Sequence, residues 1–222
     1  MAFIKRFTLF ATSLLALTSV ALGALLLAAT GLAAANNPPS TVFGTVAIDP
    51  TEPPPDTDIT TDDSSPVNAT IEANGRIYVA GDFEVIGNES RRSLAAIEVA
   101  TGQLDQTFDP VISGSAEVVH ALALSPDGTD LYVGGRFTQV DGTFRIRLAK
   151  IDAFTGELDP TFNPNIDARV DTIETDGTSV WVGGQFDNVN GQAVEHLAKL
   201  DATTGAVDTS WIGTADAVVR DV

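Results

Sequence analysis

Between residues 119 and 162 the apolar positions come in short runs, and none keeps the three- and four-residue spacing of an amphipathic helix. The runs are rich in Val, Ile and aromatic residues and are bounded by Gly, Asp, Asn and Pro, the pattern of short strands. "VVHALAL" predicts a first strand, "SPDGT" a turn and "DLYVGG" a second strand. A loop through Asp141 and Gly142 leads to a third strand, "RLAKIDA"; "FTG" turns the chain, and "ELDPTF" can supply a fourth. The second strand is apolar on both faces, as expected of a strand with further sheets stacked on each side of it.

The same pattern is written three times. "YVAGDF", "YVGGRF" and "WVGGQF" begin at Tyr78, Tyr132 and Trp181. Phe83, Phe137 and Phe186 are each followed 11 residues later by Leu94, Leu148 and Leu197, and 22 residues later by Asp105, Asp159 and Asp208. The join between copies is elastic, since successive phenylalanines are 54 and then 49 residues apart. A rigid interior with variable joins describes a structural unit connected by loops, and four strands at a period near fifty fit a propeller blade. The expected fold is therefore all-β, a partial β-propeller of four-stranded blades.

Within each unit the second glycine of the pair (Gly81, Gly135, Gly184) needs either a positive φ or the closest packing, because Ala80 replaces only the first. The phenylalanine after it should fill the gap between blades. Asp141–Gly142 and Asn190–Gly191 read as turn dipeptides, whereas the first copy has Gly87 before Asn88 and calls for another turn type.

These residues resemble the delta-sixty repeat of secreted bacterial β-propellers, a pattern of "LYVGGxF", "V-[DN]-G", "RLAxLDxxTG" and "LDxxFxP", carried three times across residues 67–216. The third copy departs from it at "TSWIG", where Trp211 replaces the phenylalanine and no proline follows. Kelch and quinoprotein-type propellers share parts of the pattern. The resemblance implies a propeller and carries no catalytic residues with it.

The expected organisation is an export segment at 1–35, a linker at 36–66, blades at 67–118, 119–169 and 170–217, and the first strand of a fourth blade at 218–222. "AVVRDV" at the C-terminus aligns with the first strands of the earlier copies, so the chain is expected to be a fragment whose remaining blades complete the ring, with a self-associating half-propeller as the alternative. At the N-terminus Lys5 and Arg6 precede a long apolar run that ends in Ala33, Ala34 and Ala35, a signal-peptide pattern with cleavage after Ala35. The alternative is an uncleaved anchor, because the run approaches spanning length. Residues 36–66 hold 7 prolines and 6 acidic residues, a composition that buries too little to order itself, although "TVFGTVAI" (Thr41 to Ile48) has strand-like composition.

Composition narrows the function further. A net charge of −18 repels nucleic acid and anionic lipid, and the absence of cysteine excludes disulfides, thiol catalysis and thiolate metal sites. The 2 histidines, His120 and His196, fall outside any metal or nucleophile motif, and no G-x-S-x-G, Walker loop or HExxH occurs. Asp105, Asp159 and Asp208 recur once per copy, which points to a turn or a side-chain-to-backbone bond rather than to catalysis. No cofactor is expected. Calcium is the one candidate metal, with Asp127, Asp141, Asp187 and Asn190 as oxygen donors that lack EF-hand spacing.

The expected role is a non-enzymatic binding scaffold of the cell envelope or extracellular space for a protein or carbohydrate. The alternative is the scaffold of a secreted glycan-acting or quinoprotein-type enzyme whose active site lies in other blades. Mass spectrometry of exported protein should find Asn36 as the first residue; a product that retains Met1 would support the anchor.

Overall fold

The computed structural model describes residues 66–114, 116–211 and 213–222. The export segment, nearly all of the linker and the Thr41–Ile48 stretch lie outside them. Blade 1 comprises β1 (Val67–Ala73), β2 (Arg76–Gly81), a short hairpin of β3 (Val85–Ile86) and β4 (Glu89–Ser90), and β5 (Leu94–Glu98). The connecting strand β6 (Ile112–Ser113) follows. Blade 2 comprises β7 (Val119–Leu124), β8 (Asp130–Gly135), β9 (Gln139–Val140), β10 (Thr143–Phe144) and β11 (Leu148–Asp152). Blade 3 comprises β12 (Val170–Thr175), β13 (Ser179–Gly184), β14 (Asn188–Val189), β15 (Gln192–Ala193) and β16 (Leu197–Asp201).

The main sheets are antiparallel, with orders β1-β2-β5, β7-β8-β11 and β12-β13-β16. The all-β propeller-blade architecture expected from the repeat is therefore present. Its fourth strand is abbreviated to a single bridge per blade: Ile97 with Leu104, Ile151 with Leu158, and Leu200 with Val207. The reason is local. Two residues beyond the aspartate that follows each bridge, Thr107, Thr161 and Ser210 donate a backbone N–H and a hydroxyl to Asp105, Asp159 and Asp208, which turns the chain out of the sheet. Pro110 and Pro164 then remove ladder donors in the first two blades.

The second strand is the middle of each sandwich. In β8 every residue but Asp130 is buried. Leu131 and Val133 pack with Tyr78, Ala80 and Phe108 of blade 1, while Tyr132 packs with Phe162, Ile173 and Val182 towards blade 3. The first strands β1, β7 and β12 touch one another in turn, so the sheets fan outward from them. Phe83, Phe137 and Phe186 are all buried, and Phe137 and Phe186 join Phe108 with Ile112 and Phe162 with Ile166 between blades.

The glycine pair has a geometric explanation. The first strand of every blade carries a bulge, with register shifts between Val67 and Ala69, Val119 and Ala121, and Val170 and Thr172. Just before each bulge the carbonyl oxygens of Pro66, Val118 and Arg169 accept the N–H of Asp82, Arg136 and Gln185 at 2.9, 2.8 and 2.9 Å. A Cβ on Gly81, Gly135 or Gly184 would meet those same oxygens well inside van der Waals contact. None of these glycines has a positive φ, so close packing is the constraint. The preceding slot faces the next blade: a Cβ on Gly134 would meet Val170 Cγ1 at 2.7 Å, and one on Gly183 would meet Val219 Cγ1 at 2.7 Å. Val219 thus sits over blade 3 as Val170 sits over blade 2, although residues 213–222 form no strand.

The hairpin turns follow their residues. Asp141–Gly142 and Asn190–Gly191 have φ of 51° and 72°, and 54° and 74°, a type I′ pair, while only Gly87 of Gly87–Asn88 is positive, as in type II′. Replacing Gly135 by Ala should lower stability by about 3 kcal/mol or more through overpacking. Gly142→Ala should cost roughly 1 kcal/mol, since it meets open space and only the left-handed backbone opposes it. Urea midpoints of the two variants measure the difference, and equal losses would contradict the bulge explanation.

Candidate ligand-binding site

The residues that recur in every copy serve construction. Leu94, Leu148 and Leu197 open the third strands opposite Ala80, Gly134 and Gly183. Asp105, Asp159 and Asp208 each hold a cation as well as a turn: Arg76 at 2.5 Å, Lys150 at 2.6 Å and Lys199 at 3.0 Å. In blades 2 and 3 the lysine comes from the third strand, opposite Tyr132 or Trp181. Blade 1 has Ala96 at that position, and Arg76 reaches the aspartate from β2 instead. Each cation also lies over an aromatic ring, Arg76 on Phe154, Lys150 on Phe162 and Lys199 on Trp181, at 5.5 to 5.8 Å from the ring centre. Two tyrosines complete the spacing between blades. Tyr78 stands edge-on to Phe108 and donates to the Ala153 carbonyl at 2.7 Å, and Tyr132 stands edge-on to Phe162 and donates to Ala202 at 3.3 Å. Burial, reinforced by Asp130, pushes Tyr132 up to about 12, so its hydroxyl stays a donor.

The four calcium candidates are dispersed. Asp127 caps its own turn through Ser125 and Thr129. Asp141 and Asn190 occupy the same slot in successive blades and do the same work, accepting the N–H of Val111 and Asn165 at 2.8 Å to tie the outer hairpin to the incoming connection. Asp187 is exposed, and its N–H donates to Asp167. Among the described residues no three His, Asp or Glu groups stand close enough to hold a metal ion.

Three slots that differ between blades lie at one end of the sheets, where each first strand begins and each second strand ends. The bulge residue is Asn68 in blade 1, His120 in blade 2 and Asp171 in blade 3. The residue after the glycine pair is Asp82, Arg136 or Gln185, exposed in every blade. A third slot went unread in the sequence. Ser93, Arg147 and His196, the residues just before the repeat leucines, have positive φ of 62°, 69° and 63°. Each donates its N–H to the repeat phenylalanine's carbonyl and accepts the N–H of Gly81, Gly135 or Gly184. Non-glycine residues in this region carry strain that the surrounding hydrogen bonds must hold. Their only sequence signal is a fixed position ten residues after each phenylalanine.

The electrostatics of this end centre on His120. Burial pushes its imidazole down, Arg169 and Arg136 push the same way, and Asp171 and Asp82 oppose them. Arg169 is paired with Asp171. Burial also lowers Arg147, and Arg136 beside it adds to the effect. His120 Nε2, Arg147 Nε and His196 Nδ1 are buried without a hydrogen-bond partner.

Residues 72–108 and 125–162 match the signature of a family described as a domain of unknown function (DUF5122) beta-propeller. These two segments are thus similar to that β-propeller domain, each over one blade. No curated protein matches the chain. Among solved structures, the WD40 repeats of RRP9 are similar at 14% identity over 64% of this chain and 37% of that one, with a TM-score of 0.44. U3-55K is similar at 13% identity over 73% and 46%, with a TM-score of 0.45. The beta-propeller domain of Myceliophteria thermophila Cps50 (Swd1) is similar at 11% identity over 64% and 40%, with a TM-score of 0.39. The chain spans less than half the length of these three structures.

The recurrent aspartates set an acid limb of stability. Burial pushes Asp159 up, but hydrogen bonds from Lys150 and Thr161 and the Lys150 charge outweigh it and bring the carboxyl down to about 2. Hydrogen bonds from Ser210 and Lys199 hold Asp208 at about 2 as well. Both lie below the unfolded value near 3.9, so the stability they contribute is present above about pH 4 and is lost as pH falls towards 2. Asp159→Asn should flatten this limb. Urea midpoints between pH 5 and pH 2 test it: the variant should lose less stability than the wild type across that range.

Proposed function

We propose that the chain is an exported, non-enzymatic propeller of delta-sixty-type repeats that binds a protein or carbohydrate of the cell envelope at the bulge end of its blades. One observation carries this reading. The positions that keep their identity through the repeats build the blades, while three slots that change identity, each polar in every blade, lie together at the same end of the three sheets. A scaffold that holds side chains in fixed places and varies them from blade to blade makes a recognition surface. Binding is favoured over general-base chemistry by the Asp171 carboxylate, which is engaged by Arg169 and shares no hydrogen bond with His120 among the described residues. Export is supported by the basic-then-apolar N-terminus alone.

The test is a glycan and envelope-protein array probed with the purified chain. A discrete set of ligands whose signal falls several-fold in the double variant Arg136→Ala/Gln185→Ala supports the proposal. Both side chains are exposed, so the variant should keep the wild-type urea midpoint. Ligands bound equally well by the variant would place recognition elsewhere on the blades.

A further inference from the structure

Blade 2 differs from its neighbours at all three variable slots of the bulge end. Where blade 1 has Asn68, Asp82 and Ser93, and blade 3 has Asp171, Gln185 and His196, blade 2 has His120, Arg136 and Arg147. These three spring from adjacent backbone. Val119, just before His120, is opposite Gly135, just before Arg136, and Gly135 donates its N–H to the Arg147 carbonyl at 2.9 Å.

Among the described residues no carboxylate pairs with Arg136 or Arg147. Arg136 is exposed, and its side chain makes no hydrogen bond or ion pair among the described residues. Arg147 reaches only the Phe137 carbonyl, at 3.3 Å, and its Nε is buried without a partner. Asp171 is taken by Arg169, and Asp82 of blade 1, which also faces His120, makes no ion pair with either arginine among the described residues. Two arginines near enough for one charge to act on the other, in a chain of net charge −18, form a local basic patch. Guanidinium donors in a fixed fork match the two oxygens of a carboxylate or phosphate.

We infer that the bulge end of blade 2 binds an oxyanion, a carboxylate or phosphate group of the ligand, between Arg136, Arg147 and His120. The inference rests on the binding reading above and names the chemistry of what is bound. His120 adds a pH dependence. It is faced by Arg136 of its own blade, Arg169 just before blade 3, Asp171 of blade 3 and Asp82 of blade 1, and on balance it stays neutral at pH 7. Its protonation, which burial and the arginines push below the ordinary imidazole range, adds a cation, so affinity for an anion of constant charge such as glucuronate should rise in acid.

The experiment is titration calorimetry of the full chain with sodium glucuronate and, separately, with inorganic phosphate, at pH 7.5 and pH 5.5. Neutral glucose is the control. Binding of either oxyanion without glucose is expected, at least about tenfold weaker in Arg136→Ala, with part of the loss restored in Arg136→Lys. Arg147→Ala should weaken binding similarly. If its strained backbone prevents folding, Arg136→Ala alone decides. The two titrants distinguish a sugar acid from a phosphate source, and either supports the inference. Equal affinity for glucose and glucuronate, or oxyanion binding unchanged in Arg136→Ala, overturns it. Array ligands that are all neutral would overturn the oxyanion and leave the binding scaffold standing; oxyanion binding with an empty array would do the reverse.

Discussion

The stack depends on one contact, a backbone carbonyl pressed against a residue that has no side chain. The oxygens of Pro66, Val118 and Arg169 occupy the space that a Cβ on Gly81, Gly135 or Gly184 would take, and each accepts the N–H of the following residue. That hydrogen bond fixes the bulge in the first strand. The bulge sets the register of the first strand on the second, and the same glycine N–H fixes where the third strand begins through Ser93, Arg147 or His196. Sheets with one shared twist and register can stack. The preceding slot shows the consequence, because Val170 approaches Gly134 as closely as Val219 approaches Gly183.

Between blades the contacts are apolar in bulk and polar at their margins. Tyr78 and Tyr132 place an aromatic ring against Phe108 and Phe162 and a hydroxyl on the carbonyl of the next blade. A buried hydroxyl with a partner costs little and orients the ring, whereas one without would cost more than the packing gains. The cation of each blade works similarly, spanning a ring face and a carboxylate that is already fixed by its own turn. Because the requirement is for a cation at one place, it can arrive from either strand, and the exchange of Ala96 and Arg76 for Lys150 and Asp130 keeps the pair intact.

Much of this was legible in the chain. Short β-rich runs, a fixed internal spacing and a doubly apolar second strand are local signals, and they pointed to propeller blades. The signals that failed needed partners from elsewhere. "ELDPTF" has the composition of a strand, yet the Asp159 turn leaves it one bridge. The glycine slot allowed two explanations, and only the position of the Val118 carbonyl chooses between them. The positive φ of Ser93, Arg147 and His196 is imposed by hydrogen bonds on both sides of the residue, so nothing in the identity of serine, arginine or histidine announces it. The cation of blade 1 was invisible because it depends on register across two strands.

The bulge explains why the three slots at this end tolerate variation. A bulge residue is extra to the ladder, and so strand pairing does not hold Asn68, His120 and Asp171 to one identity. The residue after the glycine pair is held by its backbone alone, and the one before the leucine is held on both sides by backbone bonds. In all three slots the backbone position is set by main-chain hydrogen bonds and by the glycine. Identity can therefore change from blade to blade without altering the stack, as asparagine, histidine and aspartate show at the bulge itself. A basic set in blade 2, beside an aspartate already engaged in blade 3, is a charge pattern that construction does not require. Chemistry that the fold leaves unconstrained, held in a place that the fold determines, is where a repeat protein can acquire a ligand.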